Sequence, residues 1–216
     1  LEGVAVNDAE FIEMVRWAAL CNPPTLWNTL ELCKNAPPEG DFVECGVFAG
    51  SQAAVMSRVA LSEGFKRRVH LFDSFEGIPE AGPNDDRTIT DCIGKSNGQG
   101  RLVSTGVSAC SLEQVRDYLR DWGVDGPHMV FHKGWFQNTV PIAEILKIAV
   151  LRLDGDLYTS TKVCLEYLYP KIVSGGWCIV DDYALTGCRK AVDEYIDIEP
   201  QIIPGGGGPV YWKIEK

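Results

Sequence analysis

The sequence predicts an α/β protein built on a mostly parallel sheet with helices on both faces. Three observations support this prediction: short apolar segments recur along the chain, helical patterns lie between them, and acidic residues directly follow several of them. Near-continuous apolar strands separated by helices are typical of a parallel sheet that is covered on both sides. Such sheets bind ligands beyond the carboxyl ends of their strands, so we expect the functional residues there.

The predicted strands and helices alternate along the chain. Strands are predicted over 42–47, 68–73, 128–132, 148–154 and 177–182, with a closing edge strand over 210–215. Helices are predicted over 8–20, 51–62, 111–121, 139–146, 160–172 and 186–197. A capping box, Ser111 with Gln114, begins the third of these helices, and Gly175-Gly176 is expected to end the fifth. Long loops are predicted over the Pro- and Gly-rich stretches 78–87 and 203–209 and over 91–107.

Composition and charge exclude several classes of protein. With 216 residues, 45% of them hydrophobic, the chain is expected to form one domain over 1–216, with 1–40 as a helical lid or oligomer segment. The net charge of −10 argues against a nucleic-acid partner or a polybasic membrane patch. No apolar stretch is long enough for a membrane span. The eight cysteines include no CxxC pair and several lie in apolar runs, which favours buried thiols in the cytoplasm.

The first predicted strand leads into a glycine turn of the form Glu44-x-Gly46-x-x-x-Gly50. Asp73 ends the second strand, where a carboxylate can accept both hydroxyls of a ribose. Phe48 occupies the middle glycine position of the dinucleotide pattern, which favours a ligand with ribose and base but no pyrophosphate. S-adenosylmethionine is such a ligand. A plain strand-to-helix turn is the alternative for the glycines, and a strand-end ion pair is the alternative for Glu44.

Four aspartates follow the fourth and fifth predicted strands: Asp154, Asp156, Asp181 and Asp182. If these strands are neighbours, their carboxylates meet at one edge and repel each other unless a divalent cation or protons intervene. Magnesium is the expected cation, with Asp154, Asp181 and Asp182 as ligands and Asp156 as general base. A metal that lowers the pKa of a hydroxyl, together with a base, would activate an alcohol for methyl transfer. The alternative is four solvated surface aspartates.

Several segments together resemble the macrocin O-methyltransferase family: FVECGVFAGSQA, VHLFDSFEGIPE, KGWFQNTVP, LRLDGDLYTST, LYPKIVSGGWCIVDDY and CRKAVDEY. The resemblance spans about Phe42 to Tyr195 and the closing VYW. It implies a Rossmann-like class I methyltransferase fold with a mostly parallel seven-stranded sheet and an antiparallel C-terminal strand. It also implies an S-adenosylmethionine- and Mg²⁺-dependent enzyme of natural product biosynthesis that methylates deoxysugar hydroxyls.

The resemblance also implies roles for individual residues. The metal ligands are Asp154, Asp181 and Asp182, and Asp156 is the base. A homo-oligomer and a small-molecule acceptor with a hydroxyl, a sugar, are the implied partners. Residues 85–107 and the short N-terminal segment depart from the family pattern, and such segments usually shape the acceptor pocket. Together, the turn, the DSF segment and the family motifs predict a cofactor site made of Glu44, Cys45, Gly46, Val47, Gly50, Ser51, Asp73, Ser74, Phe75, Gly134, Trp135, Phe136 and Asp154.

Three other functions remain open from the sequence. A catechol-type Mg²⁺-dependent O-methyltransferase shares the layout, but it typically has Asp-Asn where this chain has Asp181-Asp182, and a lysine base where this chain has Leu157. A haloacid-dehalogenase-like phosphotransferase would have its Asp-x-Asp motif after the first strand of the domain, whereas here three strands precede it. A binding module without chemistry would not need the full set of carboxylates.

Overall fold

The computed structural model describes residues 6–86, 98–197 and 199–216. Its strands are β1 (Asp41–Cys45), β2 (Val69–Asp73), β3 (Met129–Lys133), β4 (Ile148–Leu153), β5 (Ile172–Val180), β6 (Gln201–Ile202) and β7 (Val210–Lys213). Its α-helices are α1 (Asp8–Val15), α2 (Pro23–Lys34), α3 (Ser51–Ser62), α4 (Leu112–Asp121), α5 (Phe136–Thr139), α6 (Tyr158–Tyr167) and α7 (Thr186–Tyr195). Two short 3₁₀ helices cover Arg16–Ala18 and Tyr169–Lys171.

These seven strands form one sheet in the order β3-β2-β1-β4-β5-β7-β6. Strands β1 to β5 run parallel, and β7 is antiparallel to both β5 and β6. The predicted mostly parallel, seven-stranded sheet with an antiparallel C-terminal strand is therefore confirmed. The strand order reverses between β1 and β4, and the loops that follow these two strands diverge to open a cleft.

Helices cover both faces of the sheet. Alternate side chains of β1 point to opposite faces, so that Phe42 packs among the residues of α1 to α4, and Val43 packs with those of α6 and α7. Met56 of α3 lies in the first core, and Leu165 and Val192 lie in the second. The two cores fix both sides of the β1–β4 cleft.

The N-terminal helices belong to this core. Phe11, Ile12 and Val15 of α1 are at most 1% exposed and pack with residues of α2 and α3. The Ser51 hydroxyl donates to the carbonyl oxygen of Val15 at 2.9 Å. The segment that follows α1 is thereby held over the carboxyl edge of the sheet.

Two predicted helices, over 139–146 and 160–172, each contain a proline, and their bounds in the structure differ from the predicted ones. The helix predicted over 139–146 is instead α5, which ends before Pro141, since the residue preceding a proline disfavours the helical conformation. The helix predicted over 160–172 begins at Tyr158 and ends at Tyr167, followed by the 3₁₀ turn that contains Pro170. The glycines expected to end it lie inside β5 instead, where the register with β4 shifts.

One of the remaining sequence predictions is confirmed, and one is wrong. The capping box is present: Ser111 accepts from the Gln114 amide at 3.2 Å, and Gln114 Oε1 accepts from the Ser111 amide at 3.0 Å. The closing strand β7 is not the edge strand, because the two-residue strand β6 lies outside it. Parts of the predicted loops 78–87 and 91–107, together with Cys92, lie outside the described residues. Within the described residues the seven cysteines are free thiols, and no helix is long and apolar enough to span a bilayer.

Candidate active site

A cavity of about 260 Å³ lies at the carboxyl ends of β1, β2, β4 and β5. The turn after β1, the end of β2 and the aspartates after β4 and β5 line it. Ala18 to Cys21 form part of its wall, and Ile78 and Pro79 form another part. The sheet therefore gathers at one place most of the residues that the sequence singled out.

The glycine turn begins with a residue that cannot carry a side chain. Gly46 has φ +95°, and a Cβ on it would lie 1.7 Å from the carbonyl oxygen of Asp154. The Asp154 amide donates to the carbonyl oxygen of Cys45 at 2.8 Å. Gly46 is thus required where β1 leaves the sheet against β4. Phe48 also has a positive φ, +48°, so the turn keeps a left-handed residue where the dinucleotide pattern has glycine.

Asp73 connects the glycine turn to the end of β2. Its Oδ2 accepts from the amides of Val47 at 2.7 Å and Phe48 at 3.2 Å, and its Oδ1 accepts from the Phe75 amide at 2.6 Å. Burial raises the pKa of this carboxyl, while the three amide hydrogen bonds lower it. The side chain lines the cavity, yet three of its acceptor positions are already used by the backbone.

The predicted cofactor residues divide into two groups. The strand alternation turns the Cys45 side chain to the opposite core, and Gly50 caps α3 beneath Val115 of α4. Those that do not line the cavity are Cys45, Gly50, Phe75 and Gly134. The ring of Phe75 is buried, and Gly134 has a positive φ in the turn after β3. Those that line it are Glu44, Gly46, Val47, Ser51, Asp73, Ser74, Trp135, Phe136 and Asp154.

Three aspartates form a compact cluster. One carboxylate oxygen from each of Asp154, Asp156 and Asp182 lies within 4.8 Å of the others. The Asp156 amide donates to Asp182 Oδ2 at 2.8 Å, and Asp156 has φ +57°, an uncommon conformation for this residue type. Burial, with the nearby carboxylates, raises the pKa of Asp156 to about 7 and that of Asp182 well above its usual value.

Asp181 is not part of this compact cluster, although Asp181 and Asp182 both follow β5 and both line the cavity. Asp181 Oδ1 accepts from Arg152 Nη2 at 2.6 Å, and burial raises the pKa of Asp181 to about 6. The structure thus groups Asp156, rather than Asp181, with Asp154 and Asp182. The assignment of metal ligands and base within this set stays a prediction.

Arg152 is the main residue that the sequence reasoning missed. It is 1% exposed and contacts Glu44, Asp154 and Asp181, so that it places a cation among the carboxylates. The sequence does contain an indication, an arginine inside the otherwise apolar strand of LRLD. The ion pair with Arg152 matches the alternative role predicted for Glu44, and burial raises the pKa of Glu44 to about 8. Gln52 and Gln137 also line the cavity, and no local pattern distinguishes them.

The loop after β2 reaches the helix that follows the aspartates. Asp85 Oδ1 accepts from the amide of Tyr158, the first residue of α6, at 2.8 Å, and Asp85 Oδ2 accepts from the Gly82 amide at 2.7 Å. A Cβ on Gly187 would lie 2.0 Å from Asp85 Oδ1. The described part of the expected acceptor segment is therefore attached directly to the turn that carries Asp156.

The chain matches the macrocin-O-methyltransferase (TylF) family over residues 25–206. It is 40% identical over 179 residues to the 8-demethyl-8-(2,3-dimethoxy-α-L-rhamnosyl)-tetracenomycin-C 4'-O-methyltransferase of Streptomyces olivaceus. It is 38% identical over 182 residues to the demethyldecarbamoylnovobiocin O-methyltransferase of Streptomyces niveus. Each alignment covers 81% of this chain and 66% of the relative, so the chain spans just under two thirds of the length of these proteins.

Solved structures agree with this match. The O-methyltransferase NovP is 34% identical and superposes with a TM-score of 0.77, over 90% of this chain and 81% of that one. The calicheamicin methyltransferase CalS11 shares the fold, with 20% identity and a TM-score of 0.67 over 96% of this chain and 80% of that one. On the extent of the family match and the identity to its relatives, the chain belongs to the macrocin O-methyltransferase family.

Proposed function

We propose that this protein is a magnesium-dependent O-methyltransferase that transfers the methyl group of S-adenosylmethionine to a hydroxyl of a sugar on a glycosylated natural product. The observation that carries the proposal is that the glycine turn with Asp73 and the aspartate cluster line one cavity. The relatives support it, since both are O-methyltransferases by name and the first acts on a rhamnosyl-tetracenomycin.

The cofactor would lie over the carboxyl ends of β1 and β2. Gly46 and Val47 bring backbone close to it, and Asp73 has an acceptor position left for a ribose hydroxyl. Trp135 and Phe136 line the same cavity and offer apolar surface to an adenine ring. S-adenosylmethionine supplies a methyl group that is already activated, so the remaining difficulty is the proton of the acceptor hydroxyl.

The carboxylates of the cluster fit Mg²⁺, which prefers oxygen ligands and usually keeps several waters. Asp154 and Asp182 lie in the compact cluster, and Asp181 follows the same strand as Asp182. These three are the residues that we propose to hold the ion. Bound there, it would lower the pKa of an acceptor hydroxyl. Burial and neighbouring carboxylates raise the pKa values of Asp156 and Asp182, so a cation bound at the cluster would offset this repulsion.

Asp156 is the proposed general base. It lines the cavity next to Asp154 and Asp182, where a carboxylate can take up the proton of an acceptor hydroxyl. The acceptor proton would move to the Asp156 carboxylate as the oxygen bonds to the methyl carbon and the bond from sulfur to that carbon breaks. Leu157, where the catechol-type enzymes have lysine, leaves this aspartate as the base.

The test is to incubate the protein with S-adenosylmethionine and a panel of glycosides, nucleotide sugars and catechols, each with Mg²⁺ or with a chelator. Mass spectrometry would identify the products. A methylated sugar that disappears with the chelator is the expected result. A methylated catechol alone would favour the catechol-type alternative, and methylation that survives the chelator would overturn the role of magnesium. Light scattering on the same preparation would test the predicted homo-oligomer.

A further inference from the structure

Arg152 lies inside the strand β4 at the centre of the sheet. In register it is opposite Glu44 on β1 and Ile179 on β5. Asp154 lies two residues beyond Arg152, and Asp181 lies two residues beyond Ile179, so all these side chains start from one face of the sheet. The strand register therefore brings one arginine and three carboxylates together.

The guanidinium divides its donors among these carboxylates. Arg152 Nη1 donates to Glu44 Oε1 at 3.2 Å and to Asp154 Oδ2 at 2.8 Å, and Nη2 donates to Asp181 Oδ1 at 2.6 Å. Each carboxylate uses one oxygen for Arg152, and its second oxygen is not bound by the guanidinium. Arg152 is only 1% exposed, so these contacts are shielded from bulk solvent.

We propose that Arg152 is the positioning residue of this site: it is the resident cation that assembles Glu44, Asp154 and Asp181 before any metal binds and fixes one oxygen of each. The inference rests on the magnesium site proposed above, because Asp154 and Asp181 are two of its expected ligands. An arginine suits this role better than a lysine, since its planar fork donates in several directions and its charge persists when buried. Without it, buried carboxylates would face each other with no counter-charge.

If Arg152 has this role, its loss should make the stability of the protein depend on Mg²⁺. The loss of an ordinary buried ion pair should not have this effect. In Arg152→Met the carboxylates lose their cation, and added Mg²⁺ can replace part of the missing charge. Ligand binding to the folded state raises its stability according to concentration and affinity. We therefore expect Mg²⁺ to raise the melting temperature of Arg152→Met by at least about 5 °C more than that of the wild type.

Arg67 provides the matched control. It is also a buried arginine, 5% exposed, and it forms an ion pair with Glu63 at 2.5 Å and donates to the carbonyl oxygen of Gly40 at 2.9 Å. It does not line the active-site cavity. Arg67→Met should lower the melting temperature without any rescue by Mg²⁺, because no cluster of carboxylates is left without its cation.

The experiment measures thermal unfolding of the wild type, Arg152→Met, Arg152→Lys and Arg67→Met with Mg²⁺ or with a chelator, together with calorimetric titration of the wild type with Mg²⁺. If Arg152→Met is too unstable to purify, Arg152→Lys keeps the charge and should show a smaller rescue. If Mg²⁺ binds to the wild type but stabilises neither Arg152→Met nor Arg152→Lys beyond the wild type, the inference about Arg152 is overturned, and the proposed function is not affected. A wild type that takes up no Mg²⁺ would overturn the magnesium part of the proposed function, and the inference with it.

Discussion

Gly46 directly follows β1 and Asp154 directly follows β4, and a Cβ on Gly46 would lie 1.7 Å from the Asp154 carbonyl oxygen. The contact joins the glycine turn to the first aspartate of the cluster through backbone atoms alone. The two halves of the cavity, the proposed cofactor side and the proposed metal side, are therefore set relative to each other by a pair of main-chain groups.

The first prediction is that Gly46→Ala destabilises the protein by roughly 3 kcal/mol or more, because neither backbone can yield and alanine is strained at a positive φ. Urea unfolding measures this loss. Gly64→Ala is the control, since Gly64 has φ +73° and no atom of the described residues lies within 4 Å of an added Cβ. It should cost only about 1 kcal/mol. Equal losses in the two variants would show that the contact with Asp154 does not matter.

The sequence was sufficient to locate six of the seven strands and the edge of the sheet at which the site lies. Apolar strands and the residues that follow them are local patterns, and the family motifs add the seventh strand. Local sequence patterns do not predict which of the aspartates lie together within the site. Asp181 and Asp182 are adjacent in sequence, but Asp181 is bound by Arg152, whereas Asp182 lies in the compact cluster with Asp154 and Asp156.

Arg152 shows a second limit. Repulsion among the four carboxylates predicts a divalent cation or bound protons. The register of β1, β4 and β5 supplies a cation, Arg152, from inside a strand. An arginine in an apolar segment is visible in the sequence, whereas its three partners are known only once the neighbouring strands are known.

The second prediction concerns Asp156→Asn, which keeps the size of the side chain but removes its basicity. Turnover should fall roughly 100-fold or more, which is the range of general base catalysis. The free energy of unfolding at pH 8 should be unchanged or higher, because burial and like charges oppose the ionised Asp156. Methyl-transfer assays and urea unfolding provide the two measurements.

Calorimetric titration with Mg²⁺ separates the two possible roles of this residue. If Asp156 is the base and not a ligand, Asp156→Asn should change the Mg²⁺ affinity less than about threefold. Asp181→Asn, which removes an expected ligand, should weaken that affinity more than about tenfold. Near-normal turnover would remove Asp156 as the base. A large loss of Mg²⁺ affinity in Asp156→Asn would instead place it among the ligands, as the compact cluster with Asp154 and Asp182 allows.

The third prediction is that Asp73→Ala weakens binding of S-adenosylhomocysteine by roughly 1.5–3 kcal/mol, the value of a hydrogen bond to a charged group. The same change leaves the amides of Val47, Phe48 and Phe75 without their acceptor, so the free energy of unfolding should also fall by roughly 1–3 kcal/mol. Calorimetry and urea unfolding measure the two effects. Unchanged affinity in a folded variant would move the ribose site elsewhere.

The fourth prediction is that Asp85→Ala destabilises the start of α6 by about 1 kcal/mol, the usual cost of losing a side-chain acceptor at a helix N-terminus. The Tyr158 amide should lose protection from hydrogen exchange, because Asp85 is its acceptor. Asp85→Asn keeps an acceptor oxygen and should show a smaller effect. Asn84→Ala, which removes only a contact with Lys190 among those described for its side chain, should leave Tyr158 protected. Equal exchange of Tyr158 in Asp85→Ala and the wild type would contradict the prediction.

The fifth prediction concerns His132, which lies outside the active site. Its ring stacks on Phe72 at 4.0 Å, and its Nε2 lies 3.0 Å from Nδ1 of His70, which in turn contacts Asp41 at 3.3 Å. Burial, with His70 nearby, lowers the pKa of His132 to about 4. The unfolded chain, with a histidine pKa near 6.5, binds more protons than the folded one between these values. Stability from this residue is therefore lost as the pH falls from about 6.5 towards 4.

His132→Gln removes this titration while keeping a polar side chain. Between pH 7.5 and 4.5 the wild type should lose about 1–2 kcal/mol more stability than the variant, after allowance for the partial exposure of the ring. Asp156 and Asp181, whose pKa values are raised, act in the opposite direction as the pH falls, but they are common to both proteins and cancel in the difference. Lys133→Gln, at the exposed neighbouring position, should follow the wild type. Parallel pH profiles for the wild type and His132→Gln in urea unfolding would show that His132 titrates equally in the folded and unfolded chains.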